Sequence, residues 1–412
     1  MKVIVAHPAQ QHSFRLASAL KKAGILDKYF TTVYLKKRNA TSFVTKLLNK
    51  RHQDRAQGRR CEALDDKEVV QYCEWEGLLK LLALHNRFFK KWYTKLKYHI
   101  ADRFAKKVAK YAIKHKIDVV VTYDDCSPVL FEILKKKAPH IQCVLDVSAA
   151  NRLYMKNIYE KDTKLAPAFA KRLMHECHQV WDEKMLDRVE REIRSTDWFL
   201  APSEFVKESL TYSGVKEEQI KICPYGVDAE LFAVKSDYTV NKPLRFVYVG
   251  GVKELKGIYY LLEAFKNIPK DKAVLTVVGN FNKDDEDIQP YVDYVSFTGL
   301  ILHSKVPEIL RQSDVFVFPS LGEGFALSAL EAASCGLPLI VSENAGTKDS
   351  MNNHEGFVIP VQSVEAIKER VLWFVENTHS IETMGKAARK MAESFSWDRY
   401  SAKVAEIFLN NK

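Results

Sequence analysis

Two glutamates bracket the stretch "EGFALSALE", Glu323 to Glu331, and Gly324 stands just inside the first of them. The residues between are mostly small and apolar. A carboxylate at either end of such a segment costs several kcal/mol to bury unless it is paired or hydrogen-bonded, so the pair makes chemical sense around a ligand. The segment follows a strand-like run ending in Pro319-Ser320, and Gly322 and Gly324 allow a tight turn. A helix is predicted to begin near Ala326 and to end at Gly336, a favoured residue just past a helix end. Its first N–H groups have no intrahelical partners and form an anion site. With Glu331 about a turn and a half into the helix, the two carboxylates lie roughly 10–12 Å apart by helix rise. That is too far for an acid/base pair on one bond. It suits gripping the two ends of an elongated ligand with a diphosphate between them, and a nucleotide-sugar has that shape.

A second candidate is "VGGVKELKG" (249–257), a strand ending in Gly250-Gly251 with a helix after Lys256-Gly257. Lys256 hangs over the same strand-end crevice as a point charge for phosphate. No pair of acids spaced for a metal follows a strand, so no metal and no cofactor is expected. "DDEDIQP" (284–290) reads as a solvated loop. "YDDCS" (123–127) follows a strand, and Asp125 or Ser127 is expected to cap the next helix.

Positioning such groups takes α/β domains. Short β-rich runs alternate with helical stretches, the pattern of parallel sheets with crossover helices. In the first half the strands are VIVA (3–6), TTVYL (31–35), DVVVTY (118–123), QCVLDV (142–147) and WFLAPS (198–203), with a helix over 13–23. A basic, helix-prone insertion fills about 40–116, and 152–196 is charged and largely helical. "CPYGVDAELF" (223–232) reads as a turn and linker. The second series is LRFVYVGG (244–251), AVLTVVG (273–279), YVSFTG (294–299), DVFVFPS (314–320) and PLIVS (338–342). Helices are expected over 257–267, 304–312, 364–376 and 381–394, and "SFSWDRYSAKVAEIFL" closes as another. These are two Rossmann-like halves in tandem, with ligands at the carboxyl ends of the strands.

Over about residues 195–400 the chain resembles the retaining glycosyltransferases of family 4. The elements that carry the resemblance are "APSEFVKESL" (201–210), "ICPYGVD" (222–228), "YVGGVKELKGIYYLLEAF" (248–265), "VVGN" (277–280), "FTGLI" (297–301), "DVFVFPSLGEGFALSALEAASCGLPLIVS" (314–342), "EGFVIP" (355–360) and "FSW" (395–397). The resemblance implies the GT-B fold: two Rossmann-like domains facing a central cleft, 1–225 for the acceptor and 226–395 for the nucleotide-sugar donor. A final helix, 396–412, is expected to pack back toward the first. By the resemblance Glu323 contacts the donor sugar, the amides of Gly324, Phe325, Ala326 and Leu327 reach sugar and phosphate, Glu331 takes the ribose hydroxyls and Lys256 binds the diphosphate. Asn280 joins the donor contacts. Where Gly251 stands the family often has a second diphosphate cation, an arginine, and Lys253 is the replacement at hand. A histidine that many members place near the reacting centre falls at about Ser148, and the acceptor-side candidates are His12, Asp146 and Ser148. The resemblance also implies transfer with retention and without a bound metal.

The 412 residues exceed one core and imply two domains. No apolar run reaches the 18 or more residues a span requires, and the N-terminus reads as a first strand, so a cytoplasmic protein is expected. Seven scattered cysteines without a CxxC pair indicate neither disulfides nor zinc. The net charge of +11 divides into +16 over residues 1–225 and −5 over 226–412, so the first half is expected to meet something anionic. Residues 86–116 hold eleven Lys/Arg against Asp102 alone, interleaved with Phe88, Phe89, Trp92, Tyr93, Leu96, Ile100, Phe104 and Val108. For 101–116 an ordinary crossover helix is the better reading. For 40–98 it is an anionic membrane or lipid phosphate, which makes a lipid-linked glycan acceptor attractive. Nucleic acid is not expected, since no recognition motif accompanies the charge. Two other classes stay open: an epimerase or phosphorylase of the same architecture, which the two-glutamate signature disfavours, and a non-enzymatic binding module.

Overall fold

Apolar runs of three to six residues form two separate parallel sheets, described by a computed structural model that covers residues 1–9, 12–85, 90–124, 126–240 and 242–411. The side chains of residues 51, 55, 85, 90–92, 94 and 95 lie outside that description. The first sheet contains β1 (Val3–Ala6), β2 (Leu26–Thr31), β3 (Val69–Gln71), β4 (Val119–Tyr123), β5 (Gln142–Asp146), β6 (Trp198–Ala201) and β7 (Ile220–Ile222), in the spatial order β3-β2-β1-β4-β5-β6-β7. The second contains β8 (Leu244–Val249), β9 (Ala273–Val278), β10 (Ser296–Gly299), β11 (Val315–Phe318), β12 (Leu339–Ser342) and β13 (Gly356–Ile359), in the order β10-β9-β8-β11-β12-β13. β1, β4, β11 and β12 are buried along their whole length, as strands covered by helices on both faces must be.

The helices of the first half are α1 (Ser13–Lys22), α2 (Ala40–Lys46), α3 (Lys50–Gln57), α4 (Glu74–His85), α5 (Lys90–Lys114), α6 (Pro128–Lys137), α7 (Arg152–Leu165), α8 (Ala170–Glu176), α9 (Glu183–Arg194) and α10 (Glu204–Tyr212). Those of the second are α11 (Ile258–Lys266), α12 (Val306–Arg311), α13 (Leu327–Ser334), α14 (Val364–Glu376) and α15 (Ser380–Glu393). The closing helix α16 (Trp397–Asn410) leaves the second sheet and lies along α1. There Arg15 stacks over the Trp397 ring at 4.3 Å, Lys22 pairs with Asp398 at 2.8 Å, and Phe408 meets Trp198 edge-on.

Several expectations need correction. The strand after α1 is Leu26–Thr31, not 31–35; Val33 and Tyr34 are buried as loop over the core, which gives them the same apolar signal. The basic insertion is not helical throughout, since it supplies β3, the edge strand of the first sheet. Its second part is a crossover helix: Ile100, Phe104, Val108 and Ala112 of α5 are buried against the sheet. Phe88 and Phe89, and the side chains of Lys90, Lys91, Trp92 and Lys95, lie outside the described residues. So does Asp125. Ser127 stands at the start of α6 without capping it; its hydroxyl donates back to the Tyr123 carbonyl, and the Glu192 carboxylate accepts from its N–H at 2.7 Å. The 284–290 loop is not merely solvated. Asp285 and Asp287 both bind Arg172 of α8, at 2.7 and 2.6 Å.

Candidate active site

Strand order reverses once in each sheet, between β1 and β4 and between β8 and β11. Ligands of open α/β sheets bind outside the carboxyl ends of the strands at such a reversal. Both reversals carry residues singled out in the sequence.

On the second sheet, β8 runs into Gly250-Gly251, where the Tyr248 hydroxyl donates to the Gly251 carbonyl at 2.9 Å. A short turn, Glu254–Lys256, leads to Gly257 at φ +69°, and a Cβ there would overlap the carbonyl oxygen of Pro319. The β8 and β11 loops therefore touch, and across that contact the Lys256 ammonium pairs with the Glu323 carboxylate. Burial, with the Lys253 ammonium close by, pushes Lys256 down to about 8. Lys253 is exposed, and its stem passes 3.6 Å from where a Cβ on Gly251 would stand. It fills the space of the side chain missing at 251. Asn280, exposed at the end of β9, uses its carbonyl to accept from the Val252 N–H at 3.2 Å.

The Glu323 backbone is clamped: its N–H donates to the Asn344 carbonyl and its own carbonyl accepts from Gly346. Ala326 then takes the left-handed conformation, φ 56° and ψ 60°, which costs a non-glycine residue about 1–2 kcal/mol. The Thr347 hydroxyl holds that turn by donating to the Phe325 carbonyl. No side chain caps α13, and no acid lies in its first turn, so its leading amides stay available. Glu331 accepts from or pairs with His303 Nε2 at 2.9 Å, and this contact pushes the His303 imidazole up. Each carboxylate of the opening motif thus has its own nitrogen partner, Lys256 for Glu323 and His303 for Glu331.

On the first sheet, His12 Nε2 lies 3.1 Å from Asp146 Oδ2 and 2.9 Å from the Tyr225 hydroxyl. The Ser148 hydroxyl donates to Asp124 at 3.3 Å, and its carbonyl rests against Gly324, where any Cβ would overlap it. Ser148 therefore touches the loop that carries Glu323, while His12 and Asp146 reach it through Tyr225.

Sequence reasoning missed several residues here. Tyr225, in "CPYGVD", joins His12 on one side and the Phe325 ring on the other, at 5.7 Å. His7 ends the β1 run; its Nδ1 accepts from the Ala9 N–H, and burial pushes it down to about 3, so it stays neutral. Glu176 accepts from the Leu255 N–H at 3.2 Å, and burial raises its carboxyl. Asp162 of α7 takes hydrogen bonds from Tyr260 and Gln362 and faces Glu254, with Asp162 Oδ2 and Glu254 Oε1 both buried and reaching no donor. Burial and the Asp162 charge raise Glu254 far above the usual carboxylate range. Only the strand-end position of His7 offered a sequence signal; the others are tertiary pairings. Among the described residues no three His, Cys, Asp or Glu side chains converge as a metal centre requires, and no helix is long and apolar enough to cross a membrane.

Residues 234–391, which contain Lys256, Glu323 and Glu331, match the family model described as Glycosyl transferases group 1. That segment is similar to a glycosyl transferases group 1 domain. A relative from Escherichia coli named UDP-Gal:alpha-D-GlcNAc-diphosphoundecaprenol alpha-1,3-galactosyltransferase is 29% identical over 211 residues, 47% of this chain and 54% of that protein. The chain spans between 44% and 60% of the length of the curated relatives it matches, the first of which is an uncharacterised glycosyltransferase of Methanocaldococcus jannaschii. Among solved structures, the sucrose-phosphate synthase of Thermosynechococcus elongatus superposes with a TM-score of 0.68 at 20% identity, covering 100% of this chain and 98% of that one. HepE of Anabaena, crystallised with UDP-glucose, superposes at 0.62 and 15% identity, with 100% of both chains covered. The two sheets with their helices together form the GT-B fold.

Proposed function

We propose that the chain is a retaining, metal-independent glycosyltransferase that moves a sugar from a nucleotide-sugar donor to a glycan acceptor, and that the acceptor is lipid-linked and displayed at the cytoplasmic face of a membrane. One observation carries the reading: Lys256, Glu323 and the uncapped start of α13 meet at the strand reversal of the second sheet, directly against Ser148 of the first. Lys256, Lys253 and the α13 amides are placed to hold the diphosphate and to stabilise charge that develops on it as the sugar bond breaks. Glu323, released from Lys256 by the incoming diphosphate, turns to the sugar hydroxyls. Glu331 takes the ribose. His12, oriented by Asp146 and Tyr225, faces the cleft from the acceptor side. The names of the E. coli relative and of the HepE complex support a UDP-sugar donor, and the former supports a diphosphate-linked lipid acceptor. The +16 charge of residues 1–225 supports an anionic membrane surface as a further partner.

A thermal-shift panel of UDP-, GDP-, dTDP- and CMP-sugars tests this. A true donor at a hundred times its Kd adds about 2.7 kcal/mol of stability. Labelled donor should then be turned over by wild type and not by Glu323→Ala. Conversion of the donor sugar to its epimer without acceptor would overturn the transferase reading.

A further inference from the structure

Helices α2 and α3 and the chain leaving β2 border an open hollow of about 420 Å³ whose described lining includes no residue of the active site. Among the described residues its walls carry four cations, Lys36, Lys37, Lys46 and Arg60, and no acid. The acids nearest are already engaged. Asp66 pairs with Arg60 at 3.0 Å and accepts from the Lys37 N–H, and Glu74 accepts from Asn39 and from both the N–H and the hydroxyl of Thr41. Lys36 spends its ammonium on the Val69 carbonyl. Of the four cations only Arg60 is paired with a carboxylate among the described residues.

Exposed apolar side chains stand on the neighbouring helices. Ser42, Thr45 and Lys46 line the cavity, and Phe43 and Leu47 stand on the adjoining stripe of the helix and its exit, about 100° round the axis. Both are exposed. On α4, bound to the start of α2 through Glu74, Trp75, Leu79 and Leu82 recur at one face and are exposed too, so the five large apolar side chains are between 57% and 73% exposed. Lys80 and Gly77 seat α4 on the loops beside β1, through the Pro8 carbonyl and Thr32, which puts this surface on the acceptor-binding domain. Cations gathered in a hollow, with aromatic and leucine side chains standing beside it, match a bilayer's phosphate layer and the acyl boundary beneath it.

We propose that this cavity is a headgroup-phosphate site by which the first domain docks on an anionic phospholipid bilayer, with Phe43, Leu47, Trp75 and Leu79 entering the interface. The inference rests on the membrane part of the reading above and assigns it to α2–α4 rather than to the start of α5. Each lysine near an anionic surface changes partitioning about fivefold.

The test is flotation of the full chain with vesicles of phosphatidylcholine alone and with about one third phosphatidylglycerol, at low and high salt. Wild type should float with the anionic vesicles alone and lose binding in salt. Lys37→Glu with Lys46→Glu should lower partitioning at least about twentyfold. Phe43→Ser with Leu47→Ser should lower it while keeping the salt dependence. Thermal unfolding and the shift produced by UDP should match wild type in both, and Lys37→Gln with Lys46→Gln serves if the reversed charges unfold the chain. Wild type that ignores anionic vesicles at low salt overturns the membrane reading altogether. Wild type that binds while both pairs bind equally well overturns this site and leaves the membrane reading standing. Displacement of wild type from vesicles by soluble glycerol phosphate, with the apolar pair behaving as wild type, overturns the bilayer in favour of a free phosphate ligand.

Discussion

Lys256 and Glu323 neutralise each other in the chain without donor, and their separate removal should have opposite consequences for the nucleotide. Lys256→Ala removes a charged hydrogen-bonding partner worth about 1.5–3 kcal/mol, so affinity for a nucleoside diphosphate should fall about 10- to 100-fold. Turnover within about threefold of wild type would mean the diphosphate lies elsewhere. Because Lys256 titrates near 8 in the empty site and the diphosphate binds its charged form, affinity should weaken as pH rises through about 8. Isothermal titration from pH 7 to 9 measures this, and the slope should vanish in Lys256→Met. Glu323→Ala, by contrast, frees Lys256; it should leave diphosphate affinity unchanged or tighter while lowering turnover. Glu331→Ala should weaken the bare nucleoside diphosphate, because His303 cannot supply acceptors for ribose hydroxyls. Equal losses of diphosphate affinity in both glutamate variants would sink that division of roles.

The turn before α13 stores strain in Ala326 for the sake of its uncapped amides. Ala326→Gly should relieve it and raise stability by about 1 kcal/mol, read from urea unfolding, because glycine adopts the left-handed region freely. Ala326→Val should lower it. The same helix shows what a chain discloses on its own. Its start, its Gly336 end at φ +84° and its two glutamates were legible because turn chemistry and helix period are local. The partners of those glutamates were not, since Lys256 sits 67 positions before Glu323 and His303 28 before Glu331. The first domain hid more. Polar residues Asp27 and Lys28 at the start of β2 mask a strand, and three-residue edge strands such as β3 and β7 carry too little pattern to stand out.

The two domains meet through ionic contacts that the acidic loop at 284–290 supplies from one side and α8 from the other. Removing Arg172 leaves Asp285 and Asp287 beside each other, so Arg172→Ala should cost about 1–3 kcal/mol and split unfolding into two transitions in calorimetry. Between the domains Asp162 also faces Glu254, and burial with the Asp162 charge raises the Glu254 carboxyl far above the usual range. A carboxyl raised on folding contributes stability fully present below its ordinary value, near about 4.3, and loses it as pH rises through the raised one. The melting temperature should therefore decline toward alkaline pH in wild type and decline less in Glu254→Gln, which keeps a neutral donor. Parallel curves for the two would place the titrating carboxyl elsewhere.

The helix that lies on α1 reaches it from the far side of the second sheet, and this orders events during synthesis. The first sheet is complete at Ile222, yet Arg15, Trp198 and the apolar face of α1 have no cover until Trp397 and Phe408 emerge. At roughly 5–20 residues per second, that interval lasts about nine to thirty-seven seconds. A nascent first domain thus waits on the ribosome with an open seam, exposed to holding chaperones and to its neighbours on the same message. Slow codons placed across the second domain would lengthen that wait and should raise aggregation even though they alter no residue.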